Sequence, residues 1–192
     1  MAKTTRTRMI ETTLHLIQAR GVHGVSLNDI LSESGAPRGS LYFHFPGGKE
    51  ALVLEAMQAG IDEASQALRE CLAQATTPAE GVRLFFRAAA AEMTNSEYRF
   101  GCPVAPIILD APEVSSELAA ACRAALEDWT RMYHDVLQAA GLAPARAERL
   151  ARMIVACLEG ALIMARSQQD SGIINEVGEE VTDLIATALI RE

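Results

Sequence analysis

Residues 26–52 read SLNDILSESGAPRGSLYFHFPGGKEAL, and this stretch decides the fold. Ser26-Leu27-Asn28-Asp29 has the form of a capping box. The Ser26 hydroxyl can accept from the amide three residues on, and the Asp29 carboxylate can reach back. A short helix is therefore expected over Leu27–Ser34, with Leu27, Ile30 and Leu31 facing inward. Gly35 permits a sharp turn. Pro37 suits the first turn of another short helix, which must end before Pro46. Two short helices joined by a Gly-containing turn, preceded by a longer helix, make a helix-turn-helix.

The second helix of that pair is the one that would enter a DNA major groove. At about 100° per residue, Leu41 and Phe45 share one face and can pack inward. Arg38, Ser40, Tyr42, Phe43 and His44 spread over the rest of the surface. Consecutive aromatics cannot all face one core, so at least one of Tyr42, Phe43 and Phe45 points outward. These side chains suit DNA: Arg for guanine or phosphate, hydroxyls for phosphate, aromatic edges for thymine methyls. Gly39 allows close backbone approach to the duplex. Lys49 opens the next helix, where free amides and positive charge favour a phosphate. His15 and His23 receive no functional role.

Working outward, helix periodicity recurs along the chain and strand signals are absent. About nine helices are expected: Thr4–Arg20, Leu27–Ser34, one from Pro37 that ends before Pro46, Lys49–Ala75, Ala79–Thr94, Ala105–Leu109, Val114–Ala140, Pro144–Gln169 and Asn175–Arg191. The fold class is all-α. A helix-turn-helix domain is expected over residues 1–48 and a larger helical domain over 49–192. Apolar residues make up 49% of the 192, enough for a substantial core. The net charge of −8 divides unevenly, +2 in residues 1–50 and −10 in the remainder. A mildly basic head on an acidic body is compatible with a polyanion partner for the head alone.

Other classes are disfavoured. No apolar run reaches the roughly 18 residues of a membrane span, and the polar N-terminus lacks the apolar stretch of a secretory signal. A cytoplasmic protein without a membrane partner is expected. Cys71, Cys102, Cys122 and Cys157 form no C-x-x-C pair, and no His lies three to five residues from any of them. Reduced thiols are expected, with no metal site and no cofactor. A thiol enzyme would need Cys102 beside Pro103 as nucleophile with His134 as base. Nothing places the two together, so an enzyme is not expected.

The stretch from Ser26 to Leu52 resembles the DNA-binding domain of the TetR/AcrR family of bacterial transcriptional repressors, and the resemblance covers roughly residues 4–55. It implies a homodimer with two N-terminal reading heads on a palindromic double-stranded operator. It also implies a C-terminal body carrying the dimer interface and an effector pocket. Placed residue by residue, Ser26 matches a capping position that touches phosphate, and Asn28 a position that can reach a base. Arg38 and Gly39 match base-reading positions. Ser40, Tyr42, His44 and Lys49 match phosphate-contacting ones. One departure is Gly47-Gly48, where family members carry a side-chain cap, so a looser start to the fourth helix is expected. The string Phe45-Pro46-Gly47-Gly48-Lys49-Glu50, with Gly101-Cys102-Pro103-Val104, resembles the branch that includes the LmrA and YxaF regulators of drug-efflux genes.

In the body, Trp129, Met132 and Tyr133 are spaced to share a face. With Phe100, Cys102, Ile108 and Met164 they make the expected pocket, better suited to an apolar or aromatic effector than to a highly charged one. The proline-rich segment Cys102–Pro112 is a candidate gate. The last two helices carry Ile154, Leu158, Val181, Leu184 and Ile185, and small residues at Gly160 and Ala161 that let backbones approach. In the family such helices form a four-helix bundle with their counterparts. The competing reading is a DNA-binding protein of the same fold with no small-molecule effector.

Overall fold

The computed structural model describes residues 3–109 and 115–190. Among these, every regular element is a helix: α1 Thr5–Arg20, α2 Leu27–Ser34, α3 Ser40–His44, α4 Gly48–Gln74, α5 Pro78–Asn95, α6 Ala105–Leu109, α7 Ser116–Ala139, α8 Pro144–Gln168 and α9 Gly172–Ile190. The chain forms two compact units. One comprises Met1–Glu63 with Cys102–Cys122, the other Ala64–Gly101 with Arg123–Glu192, so the divisions fall inside α4 and α7. The expected start of the seventh helix at Val114, the Pro112 end of the candidate gate and the expected helix end at Arg191 lie outside the described residues.

In the first unit, local chemistry fixes the helix ends. The Thr4 side chain accepts from the Thr7 amide at 3.1 Å and starts α1. Gly21, at φ 73°, stops it, donating its N–H to the Ile17 carbonyl at 2.8 Å. Met9, Leu14, Leu16 and Ile17 are buried from α1, and α1 packs on α2. Ile10, expected in the stripe, is only half-buried; Met9, one residue earlier, takes the inward place. At α2 the capping box forms as read, and Gly35 ends the helix in the left-handed region at φ 62°. Ile30 and Leu31 are buried, whereas Leu27, at the first turn, is only half-buried.

The starts of α3 and α4 also differ from the sequence reading. Helix α3 begins at Ser40, not at Pro37. Pro37-Arg38-Gly39 is a turn, closed by the Ser40 amide and hydroxyl on the Pro37 carbonyl at 2.9 and 2.7 Å. A serine hydroxyl bonded to the backbone three residues back competes with helix propagation. Helix α4 begins at Gly48, at φ 69°, whose amide donates to the Phe45 carbonyl at 2.8 Å. This is a backbone conformation that an L-residue adopts only at a cost. Further along α4, a Cβ on Gly60 would stand 2.8 Å from Leu14 and 3.1 Å from Pro103, so glycine permits that close crossing.

In the second unit, α5 packs on α9 and α8, and α8 packs on α9. Thr77 caps α5 through the Glu80 amide, and Pro78 occupies its first turn. A Cβ on Gly178 of α9 would meet the Phe86 Cβ of α5 at 2.7 Å, so this crossing is set by a missing side chain. Helix α9 starts three residues earlier than expected because the Asp170 carboxylate accepts the Gly172 amide at 2.8 Å. No helix among the described residues is long and apolar enough to cross a membrane. Nor do they include a group of three or more His, Cys, Asp or Glu placed to hold a metal.

Candidate nucleic-acid interface

All nine residues read as DNA contacts fall in the first unit. Leu41 and Phe45 are fully buried and anchor α3, and the Arg6 guanidinium lies over the Phe45 ring at 5.1 Å while pairing with Glu55. With those anchors fixed, the intervening residues turn outward. Tyr42 is 66% and Phe43 81% exposed. Phe43 meets the half-buried His44 ring edge-on at a centroid distance of 4.9 Å. Large aromatic side chains this open to water are a feature to be explained by a partner.

Arg38 and Asn28 are both exposed and joined, the guanidinium donating to Asn28 Oδ1 at 3.1 Å. The α2 position and the turn before α3 thus present one polar group. Gly39 is exposed, and a Cβ there would meet nothing, so it leaves the approach to α3 unobstructed. The Ser26 hydroxyl is engaged with Asp29: it donates to Oδ2 at 2.5 Å and accepts the Asp29 amide at 3.2 Å. These bonds, the Ser26 side chain first and its backbone amide second, hold the Asp29 carboxyl below its ordinary 3.8. Lys49 is partly buried, and its ammonium donates to the Val25 carbonyl at 2.5 Å.

Sequence reading missed Arg6, whose ring contact and ion pair brace α3, and the conformational demand at Gly48. For Gly48 the signal was present: a Gly-Gly pair directly after Pro46 marks a turn with positive φ.

The residues read as an effector pocket divide between the units. Cys102 and Ile108 belong to the first, the former buried and the latter exposed. In the second unit, Trp129 and Tyr133 are buried together on α7, and Phe100 and Met132 are half-buried. Met164 is 49% exposed on α8, away from that core. The Trp129 indole donates to Ser65 Oγ of α4 at 2.8 Å. The Tyr133 hydroxyl is buried with no hydrogen-bond partner. Burial, and secondarily Cys71, push its pKa far up, so it is a neutral phenol. Burial also raises the Cys71 thiol, and the Cys122 thiol to about 11. These are not activated nucleophiles. His134 faces Asp135 at 2.9 Å.

Of the residues read as a dimer interface, Ile154, Leu158, Ala161, Val181 and Ile185 are buried within the second unit. Gly160 and Leu184 are exposed, and Ile163 joins them at 59% exposure. The reason is angular. In α8 the core stripe runs 147, 150, 151, 154, 158, 161 and 165, whereas Ala156, Gly160 and Ile163 lie on another side of the same helix.

Comparison with known proteins agrees with this geometry. Residues 9–56 match the bacterial regulatory proteins of the tetR family. Residues 78–180 match the C-terminal domain of LmrA/YxaF-like transcriptional regulators. The chain is 31% identical to the HTH-type transcriptional regulator LmrA of Bacillus subtilis over 94% of this chain and 96% of that one. Among solved structures, a TetR transcriptional regulator from Legionella pneumophila superposes with a TM-score of 0.87 at 22% identity, covering 95% of this chain and 98% of its own. The TetR-family regulator CifR, in a cysteine-substituted form complexed with 26-bp operator DNA, superposes with a TM-score of 0.78 at 23% identity, covering 95% and 97%. The matched families and relatives are transcriptional regulators, not enzymes. The chain belongs to the TetR family of DNA-binding transcriptional regulators, in the branch with an LmrA/YxaF-like C-terminal domain.

Proposed function

We propose that the protein is a cytoplasmic homodimeric repressor that binds a palindromic operator and is released by a small, largely apolar effector. The observation that carries the reading is the outward pair Tyr42 and Phe43 on α3, beside the joined Arg38 and Asn28. An apolar ring meets thymine methyls, the guanidinium a guanine edge, and the phenol and serine hydroxyls phosphate. Ser26, Gly39, Ser40, His44 and Lys49 complete the set at the margins of that face.

Two features support the dimer. Gly160 lies mid-helix, and a Cβ there would touch nothing in the protomer. A helix-interior glycine costs about 1 kcal/mol relative to alanine, so close approach of a second helix gives it a purpose. Exposed Ile163, Met164 and Leu184 on α8 and α9 supply apolar area for the same contact. The buried Trp129 and Tyr133, with the unpartnered Tyr133 hydroxyl, support the effector. A neutral phenol among apolar groups suits an uncharged molecule with one hydrogen-bonding atom. The effector would act through α4, which contributes Ser65 to this region and Lys49 to the head. In the released state the two heads no longer match successive major grooves about 34 Å apart. Effector and DNA must then weaken each other equally.

The test is capture of fragments of the source genome by the purified protein at near-physiological salt. An Arg38→Ala/Tyr42→Ala protein is the control. A few palindromic promoter fragments, lost in the control, are expected. Equal recovery by both proteins refutes the reading head. Captured DNA that no apolar small molecule releases would leave an effector-independent regulator.

A further inference from the structure

Asn28 and Arg38, ten residues apart in sequence, meet side chain to side chain on the reading head. We infer that they read one base pair in each half-site as a single unit, and that the base they select is a guanine. The inference rests on the assignment of the DNA-reading head above and adds the base chemistry that this part of it recognises.

Both side chains are rooted in fixed backbone. Asn28 lies in the first turn of α2, which the Ser26–Asp29 capping box holds. Arg38 lies in the turn that the Ser40 amide closes on the Pro37 carbonyl at 2.9 Å. Between them the Ala36 amide donates to the Leu31 carbonyl at 3.2 Å, and Ala36 is itself buried. The bond that joins the pair, Arg38 Nη2 to Asn28 Oδ1 at 3.1 Å, therefore links two defined points of an exposed surface.

The chemistry of that bond settles which way the amide is turned. A guanidinium carries donors only, so the Asn28 atom that meets it must be the oxygen. Both hydrogens of Asn28 Nδ2 then remain to donate, as do the other N–H groups of Arg38. Within the described residues none of these has another partner. The second lone pair of Oδ1 lies beside a cation, which repels an incoming N–H. The pair thus presents hydrogens and little else.

Among the bases only guanine shows acceptors alone, O6 and N7, at its major-groove edge. Adenine and cytosine each present an amino group there, whose hydrogens would face the hydrogens of the pair. Thymine offers a single acceptor beside a methyl group. A lone asparagine would favour adenine, donating to N7 and accepting from N6, but the Arg38 bond occupies the oxygen that this contact needs. The planar fork of Arg38 keeps N–H groups for a bidentate bond to O6 and N7. Asn28 holds that fork in place, so less side-chain freedom is lost on binding.

The experiment selects binding sites from a library of random duplexes with the full-length protein at near-physiological salt. Asn28→Ala, Arg38→Ala and the Arg38→Ala/Tyr42→Ala control are run in parallel. The expected outcome is a site whose half-sites each carry one guanine that both single variants release to any base, with the other positions unchanged. The selected duplex is then remade with 7-deazaguanine at that position, which removes N7 and leaves base pairing intact. Parent binding should weaken roughly tenfold for each half-site altered, and Arg38→Ala binding should not respond. The losses from Asn28→Ala and Arg38→Ala should fall well short of multiplying in the double variant, because the two side chains act together.

An A·T pair at the position that Asn28→Ala relaxes, different base pairs relaxed by the two variants, or losses that multiply each overturn the inference. So does an Arg38→Ala protein that binds every sequence more weakly to the same degree, with a salt slope lower by about 0.9 per protomer, since that is the loss of a phosphate contact. Failure of the head itself looks different. If the parent enriches no sequence over the control, the reading head is refuted and the inference with it, whereas an enriched site without the guanine refutes the inference alone.

Discussion

Phe43→Ala is the substitution that most directly separates a reading head from an ordinary helical surface. At 81% exposure, roughly 160 Å² of the about 200 Å² that a phenylalanine side chain presents is open to water. Docking in a major groove that covers half of this removes about 80 Å², or about 2 kcal/mol per head at ~25 cal/mol per Å². For two heads the loss approaches about 4 kcal/mol, close to a thousandfold in Kd. The fold should not notice: Phe43 lies outside the core formed by Leu41 and Phe45, and surface substitutions of this kind stay within about 0.5 kcal/mol. Fluorescence anisotropy with the captured duplex, at several salt concentrations, gives affinity and slope together. The slope should be unchanged because the ring carries no charge. Binding within threefold of the parent protein would refute the reasoning, and so would a marked loss of thermal stability, which would mean that the ring belongs to the core.

Four other outcomes follow from the same structure. Gly178→Ala places a Cβ 2.7 Å from the Phe86 Cβ; the overpacking cost of about 1–3 kcal/mol exceeds the helix-propensity gain of about 1 kcal/mol, so urea unfolding should show a net loss. Gly160→Ala meets nothing within the protomer, so it should stabilise an isolated protomer while weakening self-association, seen by sedimentation at low concentration; stronger association would count against the proposed interface. Tyr133→Phe removes a buried, unpartnered hydroxyl and should raise stability by about 1 kcal/mol, or about 2–4 °C in Tm; a fall would reveal a partner for the hydroxyl. The Asp29 carboxyl is held below its ordinary 3.8 by the Ser26 side chain and then its amide. Its contribution is therefore fully present above that value and lost as pH falls through the lower folded value. Exchange of the first-turn amides of α2 should accelerate in that acid window and not near neutrality.

The reading head was legible because its determinants are local. A capping box, a helix-stopping glycine and a proline act within one turn, and Ser26, Asp29 and Gly35 do in the structure what their types predict. The aromatic arithmetic worked for the same reason, since Phe45 goes inward and Tyr42 and Phe43 outward by helical period alone. The start of α3 was misplaced because two local rules compete there. Proline favours a first turn, but the Ser40 hydroxyl and amide on the Pro37 carbonyl close the same residues into a turn ahead of the helix.

The body was legible only in its helices, and the reason is geometric. A period of 3.6 locates an apolar stripe but does not name what covers it. Helix α8 carries apolar residues around much of its circumference, so the sequence cannot separate Ile154, which fills the protomer core, from Ile163, which faces out. That choice is made at crossings such as Gly178 on Phe86, where the missing Cβ lets α9 settle against α5. The two glycines have one letter and opposite physics: Gly178 is required by a neighbour within the protomer, while Gly160 has none. In an exposed helix, a glycine without an internal reason is therefore the sharper pointer to a partner than any of the leucines and isoleucines around it.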